Sequence, residues 1–343
     1  MEQDNALLDR AYGSLIATAI GDAMGMPASF MSPSQIRRIY GRITDFMTPD
    51  QEQTAHHSVE AGGITDDTQE SLIVSSVLIE AGRFDPELFV RKMRQWAEDY
   101  KMLDSTVIGP STRKFLETIL SDGDYKESGK TGDTNGAAMR VGPIGIYRHG
   151  DVDLAIAEAE ASALPSHGSR AGVSSASAIA AAIATAVAGS CTPREVVGAA
   201  IQGAEWGERR GFDQPAPSIA ARIRLAVDLV DRERERNRPV NEVCEALYAF
   251  IGAGMKSYES VPLSLGVFYA VEGDVKEGIL GAVNIGDDAD TNGAIVGSLC
   301  GAYSGASSVP AEWIAKVEST NEVPFKRIAS DLLERRRKAA SGS

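Results

Sequence analysis

Three observations predict an all-α protein folded as a single compact domain. Apolar side chains recur at helical spacing along most of the chain, helix-start signals punctuate it, and alternating strand patterns are scarce. Residues 43–47 are the one short strand candidate, and its pattern is weak. Glycine-rich segments at 62–63, 129–136, 166–172 and 286–293 separate the helical stretches, so a site is expected in loops at one end of the helices.

The elements follow in order. Residues 15–20 form an apolar helical segment that runs into Gly21-Asp22-Ala23-Met24-Gly25-Met26-Pro27. Thr65-Asp66-Asp67-Thr68 opens a second apolar run, residues 72–78. Asp85-Pro86-Glu87 combines an N-cap with proline at the first helical position, and Phe89, Met93, Trp96 and Tyr100 then recur on one face. Residues 171–189 are apolar nearly all round, which marks a helix enclosed by others. Thr192-Pro193-Arg194-Glu195 is a capping box, with Val196, Val197 and Ala200 behind it. Ile219, Ile223, Ala226 and Val230 make one more stripe, and Val240, Val243, Leu247 and Phe250 another. Residues 292–301 read as a tightly packed helix of small side chains. Residues 335–343 read as a frayed end.

Charged residues make up 24% and hydrophobic ones 43% of 343 residues, enough apolar content to bury a large core. A net charge of −14, with the dense basic run Arg335-Arg336-Arg337-Lys338 confined to the terminus, argues against a nucleic-acid partner. Cys191, Cys244 and Cys300 are widely spaced in apolar surroundings, as buried thiols of a reducing compartment are. The start Met1-Glu2-Gln3-Asp4-Asn5 lacks the basic opening of a signal peptide, so a cytoplasmic location is expected. The uncharged stretches 171–192 and 292–311 are rich in Ala, Gly and Ser, which favours core helices over membrane spans.

Chemistry concentrates in the loops. Asn284-Ile285-Gly286-Asp287-Asp288-Ala289-Asp290-Thr291 gathers three carboxylates and a hydroxyl in one turn, and Thr65-Asp66-Asp67 repeats the design far upstream. Two carboxylates about 4 Å apart repel by roughly 4 kcal/mol at an effective dielectric near 20, so such a cluster calls for cations or protons. Oxygen-only donors favour Mg²⁺, Mn²⁺ or Ca²⁺ over zinc. Read alone, Thr65-Asp66-Asp67 is equally a helix cap complementing the macrodipole. Asp22 reads as a structural acid holding backbone amides. Gly132-Asp133-Thr134-Asn135-Gly136 admits close approach of a phosphate, though alone it is an ordinary Asn-Gly turn. His167, in Pro165-Ser166-His167-Gly168-Ser169, stands out only through its company. His56, His57 and His149 read as surface or satisfied residues.

Taken together, these segments resemble the ADP-ribosylglycohydrolase family, in the right order from Gly21 to about Gly305. The resemblance implies an orthogonal helical assembly with a binuclear Mg²⁺ or Mn²⁺ centre. It implies Thr65, Asp66, Asp67, Asp288, Asp290 and Thr291 as ligands, and Asn135, Gly136, His167 and Gly286 on the substrate side. The expected substrate is ADP-ribosylated or a smaller ribosyl compound, with neither nucleic acid nor membrane as partner. Asp67 is expected to take the proton of the attacking water. Two positions depart from the pattern: Ser29 and Val107 stand where many members carry a Glu and an Asp, which implies a differently lined pocket. Two alternatives follow. One is a hydrolase of free nucleosides or small ribosyl compounds on the same fold. The other is a metal-dependent ADP-ribose or nucleotide binder without turnover.

Overall fold

Eighteen α-helices follow one another in the computed structural model, which describes residues 2–341; no strand occurs among them. The first seven are α1 (Glu2–Gly25), α2 (Pro33–Tyr40), α3 (Asp66–Ala81), α4 (Pro86–Asp99), α5 (Pro110–Leu120), α6 (Tyr125–Ser128) and α7 (Gly136–Met139). The middle of the chain forms α8 (Gly142–Tyr147), α9 (Val152–His167), α10 (Arg170–Ala188), α11 (Pro193–Arg210), α12 (Ile219–Glu235) and α13 (Val240–Ile251). The last five are α14 (Ser257–Ala270), α15 (Val275–Val283), α16 (Ala289–Ser304), α17 (Ala311–Asn321) and α18 (Phe325–Ser341).

Start signals act as the sequence predicts. Asp85 accepts from the Leu88 amide, and Thr192 and Glu195 close a reciprocal capping box on α11. The stripe Ile219, Ile223, Ala226, Val230 is buried. Phe250 departs from its stripe and is 68% exposed, beyond the buried Leu247. The strand expected at 43–47 does not form. The Asn284 carboxamide instead receives the Ile43 N–H (2.9 Å) and donates to its carbonyl (2.9 Å), standing in for a strand partner. Of the end read as frayed, residues 335–341 belong to helix α18, and residues 342–343 lie outside the described residues.

Two helices set the frame. In α10 only a few residues reach the surface, and 89% of its most apolar window is buried; although long and apolar enough to cross a membrane, it is a core helix. Helices α1 and α16 cross at near backbone contact. A Cβ at Gly21 would lie 2.0 Å from the Gly293 carbonyl, and one at Gly25 would lie 2.2 Å from the Ala289 carbonyl. Glycine is the one residue that permits this approach. The crossing joins the C-terminal turn of α1, which holds Asp22, to the N-terminal turn of α16, which holds Asp290 and Thr291. One apolar cluster, from Ala11 to Leu333, surrounds both.

Candidate active site

Asp22 organises the first acidic turn. Its carboxylate accepts from the Thr65 amide (2.9 Å), the Thr65 hydroxyl (2.7 Å), the Thr68 amide (3.2 Å) and the Thr68 hydroxyl (2.5 Å). These are the amides that α3 leaves unpaired at its N-terminus, so the structural role read for Asp22 is the one it fills. Burial pushes its carboxyl up to about 6, against the pull of the Thr68 and Thr65 donors.

With Thr65 fixed as the N-cap of α3, Asp66 and Asp67 occupy the first turn and face a narrow cavity. Across it stand Asp288, Asp290 and Thr291 at the start of α16. All five are buried, and the cavity of about 40 Å³ holds only a few water molecules. A larger hollow, about 710 Å³ between Leu8, Pro324 and Arg327, lies open on the surface away from the acidic turns.

Burial and then the neighbouring carboxylates hold Asp66, Asp67 and Asp288 well above the usual carboxylate range. Asp290 goes the other way. His56 lies 2.8 Å from its Oδ2, and this partner, with the Ser29 hydroxyl, outweighs burial and lowers its pKa. His56 is itself buried. Desolvation alone would lower its pKa, but the charges of Asp290 and Asp22 raise it. The pair is a close charge contact without the alignment of a hydrogen bond. Asp67 Oδ1 and Asp290 Oδ1 are buried with no hydrogen-bond partner. Among the described residues, no three His, Cys, Asp or Glu side chains converge as they stand on a point that could hold a metal ion.

The third loop closes the site. Asn135 precedes α7, donates its Nδ2 to Asp288 Oδ2 (2.5 Å) and to Ser260 Oγ (3.0 Å), and Ser260 donates in turn to Asn292 (2.8 Å). Asn135 and Gly136 line the cavity together with Thr134, Thr112, Phe30, Val107, Met139 and Met255. Asn135 is engaged with Asp288 at the floor, while Gly136 packs directly against the His167 ring.

Two expected substrate contacts are displaced. His167 is not in a loop: α9 extends through it, and only Gly168 and Ser169 separate it from α10. Its ring is fully buried behind the wall, with Nε2 3.0 Å from the Thr134 hydroxyl and Nδ1 2.8 Å from the Ser166 hydroxyl. A Cβ at Gly136 would meet that ring at 2.8 Å, so His167 supports the loop and does not reach the cavity. Gly286 adopts φ +80°, and a Cβ there would strike the Met31 carbonyl at 2.1 Å. Its role is to turn the chain into Asp287 and Asp288. Thr65 likewise lies beneath the floor, bonded to Asp22, and its hydroxyl also approaches Asp67 Oδ2 (3.3 Å).

Sequence reasoning missed His56, Glu70 and Arg140. His56 sits ten residues before Asp66 with no spacing signal to link them. Glu70, one turn after Asp66, is fully buried against Arg140 (2.7 Å), which also bonds the Ser162 carbonyl and the Ser166 hydroxyl and lies over Phe89. A carboxylate one turn along the same helix face was the available clue to Glu70. Ser29 receives the Asp290 amide on its hydroxyl (3.2 Å).

Comparison with known proteins agrees with this architecture. A family model described as ADP-ribosylglycohydrolase matches residues 3–342. The Escherichia coli K12 protein YegU is 31% identical over 96% of this chain and 97% of its own length. The ADP-ribosylarginine hydrolase Tri1 of Pseudomonas putida is 26% identical over 96% of this chain and 79% of its own. The ADP-ribosyl-[dinitrogen reductase] glycohydrolase of Rhodospirillum rubrum is 25% identical over 95% and 96%. A solved structure titled an ADP-ribosylglycohydrolase-related protein complex superposes with a TM-score of 0.70 at 22% identity, covering 97% of this chain and 99% of that one. With its two acidic helix starts facing one cavity, the chain belongs to the ADP-ribosylglycohydrolase family and is a hydrolase of glycosidic bonds.

Proposed function

We propose that this enzyme is a cytoplasmic, divalent-cation-dependent hydrolase that cleaves a ribosyl glycosidic bond, ADP-ribosyl or closely related. One observation carries the reading: acids from residues 66–67 and 288–290 face the same cavity, with Asp67 Oδ1 and Asp290 Oδ1 buried and unpartnered. Buried, mutually repelling carboxylates with free lone pairs suit hard cations, and the all-oxygen set that lines the cavity, Asp66, Asp67, Asp288, Asp290 and Thr291, would hold two Mg²⁺ or Mn²⁺, with Thr65 held below them on Asp22. When bound, such a pair supplies a site for ribose hydroxyls and makes a water more acidic.

The chain's own groups do the rest. In the hydrolysis, the water oxygen bonds to the ribose anomeric carbon while the bond to the leaving group breaks, and its electron pair departs with that group. Asp67, in its ionised form and with Oδ1 free of any hydrogen-bond partner, accepts the water's proton; the leaving group takes up a proton as it departs. Positive charge builds on the sugar ring in the transition state, and the acidic walls stabilise it. Asn135 keeps Asp288 oriented from across the cavity. Arg140 neutralises Glu70, a buried acid that does not line the cavity.

A second reading, a hydrolase of free nucleosides or small ribosyl compounds, is favoured by Ser29 and Val107. Ser29 is buried on the Asp290 amide, and Val107 gives the cavity an apolar wall. The test is calorimetry with Mg²⁺ and Mn²⁺ on wild type and Asp288→Ala, followed by product analysis on ADP-ribosyl-arginine and a nucleoside panel. Cation uptake and turnover should both vanish in the variant, with helical content retained. Cleavage that persists undiminished in excess chelator refutes the cation-dependent reading.

A further inference from the structure

The mouth of the cavity carries an aromatic ring that the hydrolytic reading leaves unused. Phe30 lines the cavity yet is 47% exposed, an unusual setting for phenylalanine. Its backbone sits at φ +63°, a left-handed conformation that costs a residue with a Cβ about 1 kcal/mol and that glycine would adopt freely. The turn is clamped at both sides: the Phe30 amide donates to the Asp287 carbonyl (2.5 Å), and the Asp287 amide donates to the Met31 carbonyl (2.8 Å). The backbone that carries the ring is therefore tied to the turn that presents Asp288. Its companions on the cavity wall, Val107, Met139 and Met255, are apolar, and the charged side chains lining the cavity are the four acids Asp66, Asp67, Asp288 and Asp290.

We infer that Phe30 is a specificity-determining platform for a flat, uncharged aromatic group on the anomeric carbon, such as a nucleobase. The inference rests on the ribosyl-hydrolase reading and narrows its substrate class. A sugar held at the acidic floor projects its anomeric substituent past walls that offer a ring face and apolar surface. A cationic guanidinium leaving group would find no carboxylate at Ser29 or Val107. A planar base gains a stacking partner whose backbone the Asp287 clamp holds at the rim, worth about tenfold or more in affinity by the usual effect of removing a base-stacking ring.

The experiment uses three uncleavable carbon-linked ribosides, one aryl, one alkyl and one alkylguanidinium, titrated into the full-length enzyme in saturating Mg²⁺. Wild type should prefer the aryl riboside. Phe30→Ala and Phe30→Gly should lose about tenfold for it and little for the others, and Phe30→Trp should restore the preference. Phe30→Gly should also melt higher than wild type, since it relieves the left-handed strain, which separates lost stacking from lost folding. An equal loss for all three ligands, no loss, or no binding of the aryl riboside by wild type overturns the inference. Hydrolysis of a ribosyl panel by wild type reports separately on the underlying reading. If turnover is absent while the selectivity pattern holds, the hydrolytic reading fails and the platform stands; turnover with uniform losses does the reverse.

Discussion

Gly21→Ala should separate the two halves of the site. The added Cβ would sit 2.0 Å from the Gly293 carbonyl oxygen and 2.8 Å from the Ala294 nitrogen, where ordinary van der Waals contact begins near 3.4 Å. The obstructing atoms are backbone, so no rotamer change relieves them; helix α1 or α16 must move by about 1 Å. Overpacking of this kind costs about 1–3 kcal/mol or more, against roughly 1 kcal/mol gained from alanine's helix propensity. With a rigid obstacle on the far side, a net loss of about 2 kcal/mol is expected, lowering Tm by roughly 5 °C. The matched control is Gly198→Ala, on the exposed face of α11, where a Cβ would meet nothing within 4 Å. It should stabilise by about 0.5–1 kcal/mol. Calorimetric melting and cation titration of both variants make the test. Gly21 adjoins Asp22 and Gly293 lies two residues past Thr291, so the first variant should also lose at least about tenfold in Mg²⁺ affinity, the equivalent of 1.4 kcal/mol. A Gly21→Ala protein with wild-type Tm would refute the tight crossing; lower Tm with unchanged affinity would refute its link to the site.

Three further outcomes are expected. Arg140→Leu leaves Glu70 charged and buried, a loss of about 3–5 kcal/mol in urea unfolding, whereas adding Glu70→Leu should recover much of it. In cation-free buffer, Asp22, Asp66, Asp67 and Asp288 hold protons more tightly in the folded protein than in the unfolded chain. Stability should therefore fall as pH rises from about 4 through the Asp22 value of about 6, and millimolar Mg²⁺ should flatten the slope; a Tm series in chelator and in Mg²⁺ checks the sign. His56→Ala removes the counter-group of Asp290 and should cost about 1–3 kcal/mol in chelator, measured by urea unfolding at neutral pH.

What could be read from the chain was what local chemistry dictates. The caps at Asp85 and Thr192, the enclosed α10 and the acidic starts of α3 and α16 each depend on residues within a turn or two of one another. What escaped depends on distant partners. Residues 43–47 look like a strand until Asn284, over two hundred residues away, supplies the hydrogen bonds a neighbouring strand would. His56 is unremarkable in sequence because Asp290, which gives it meaning, lies at the opposite end of the chain. His167 was misplaced for a related reason: glycines and a proline around it suggest a loop, yet Pro165 is accommodated within α9 and the following glycines mark close packing.

The floor and the rim of the cavity answer to different constraints. At the floor three acids are held by partners distant in sequence: Asp22 by Thr65 and Thr68, Asp288 by Asn135, Asp290 by His56 and Ser29. Changing one orphans another buried polar group, at about 1–3 kcal/mol each, so this set resists piecemeal change. At the rim, Phe30 and Val107 are at least partly exposed, and side-chain replacement there leaves no buried donor or acceptor unpaired. Ser29 lies at the boundary. A glutamate at that position could not keep its carboxylate on the Asp290 amide without adding a further negative charge to a cluster already repelling itself. A short neutral hydroxyl satisfies the amide at no electrostatic cost. Substituting Ser29→Glu should therefore raise the pKa values of the neighbouring acids and steepen the loss of stability with pH in chelator. A flat response would show that the cluster tolerates another charge, and that the serine owes its place to something other than electrostatics.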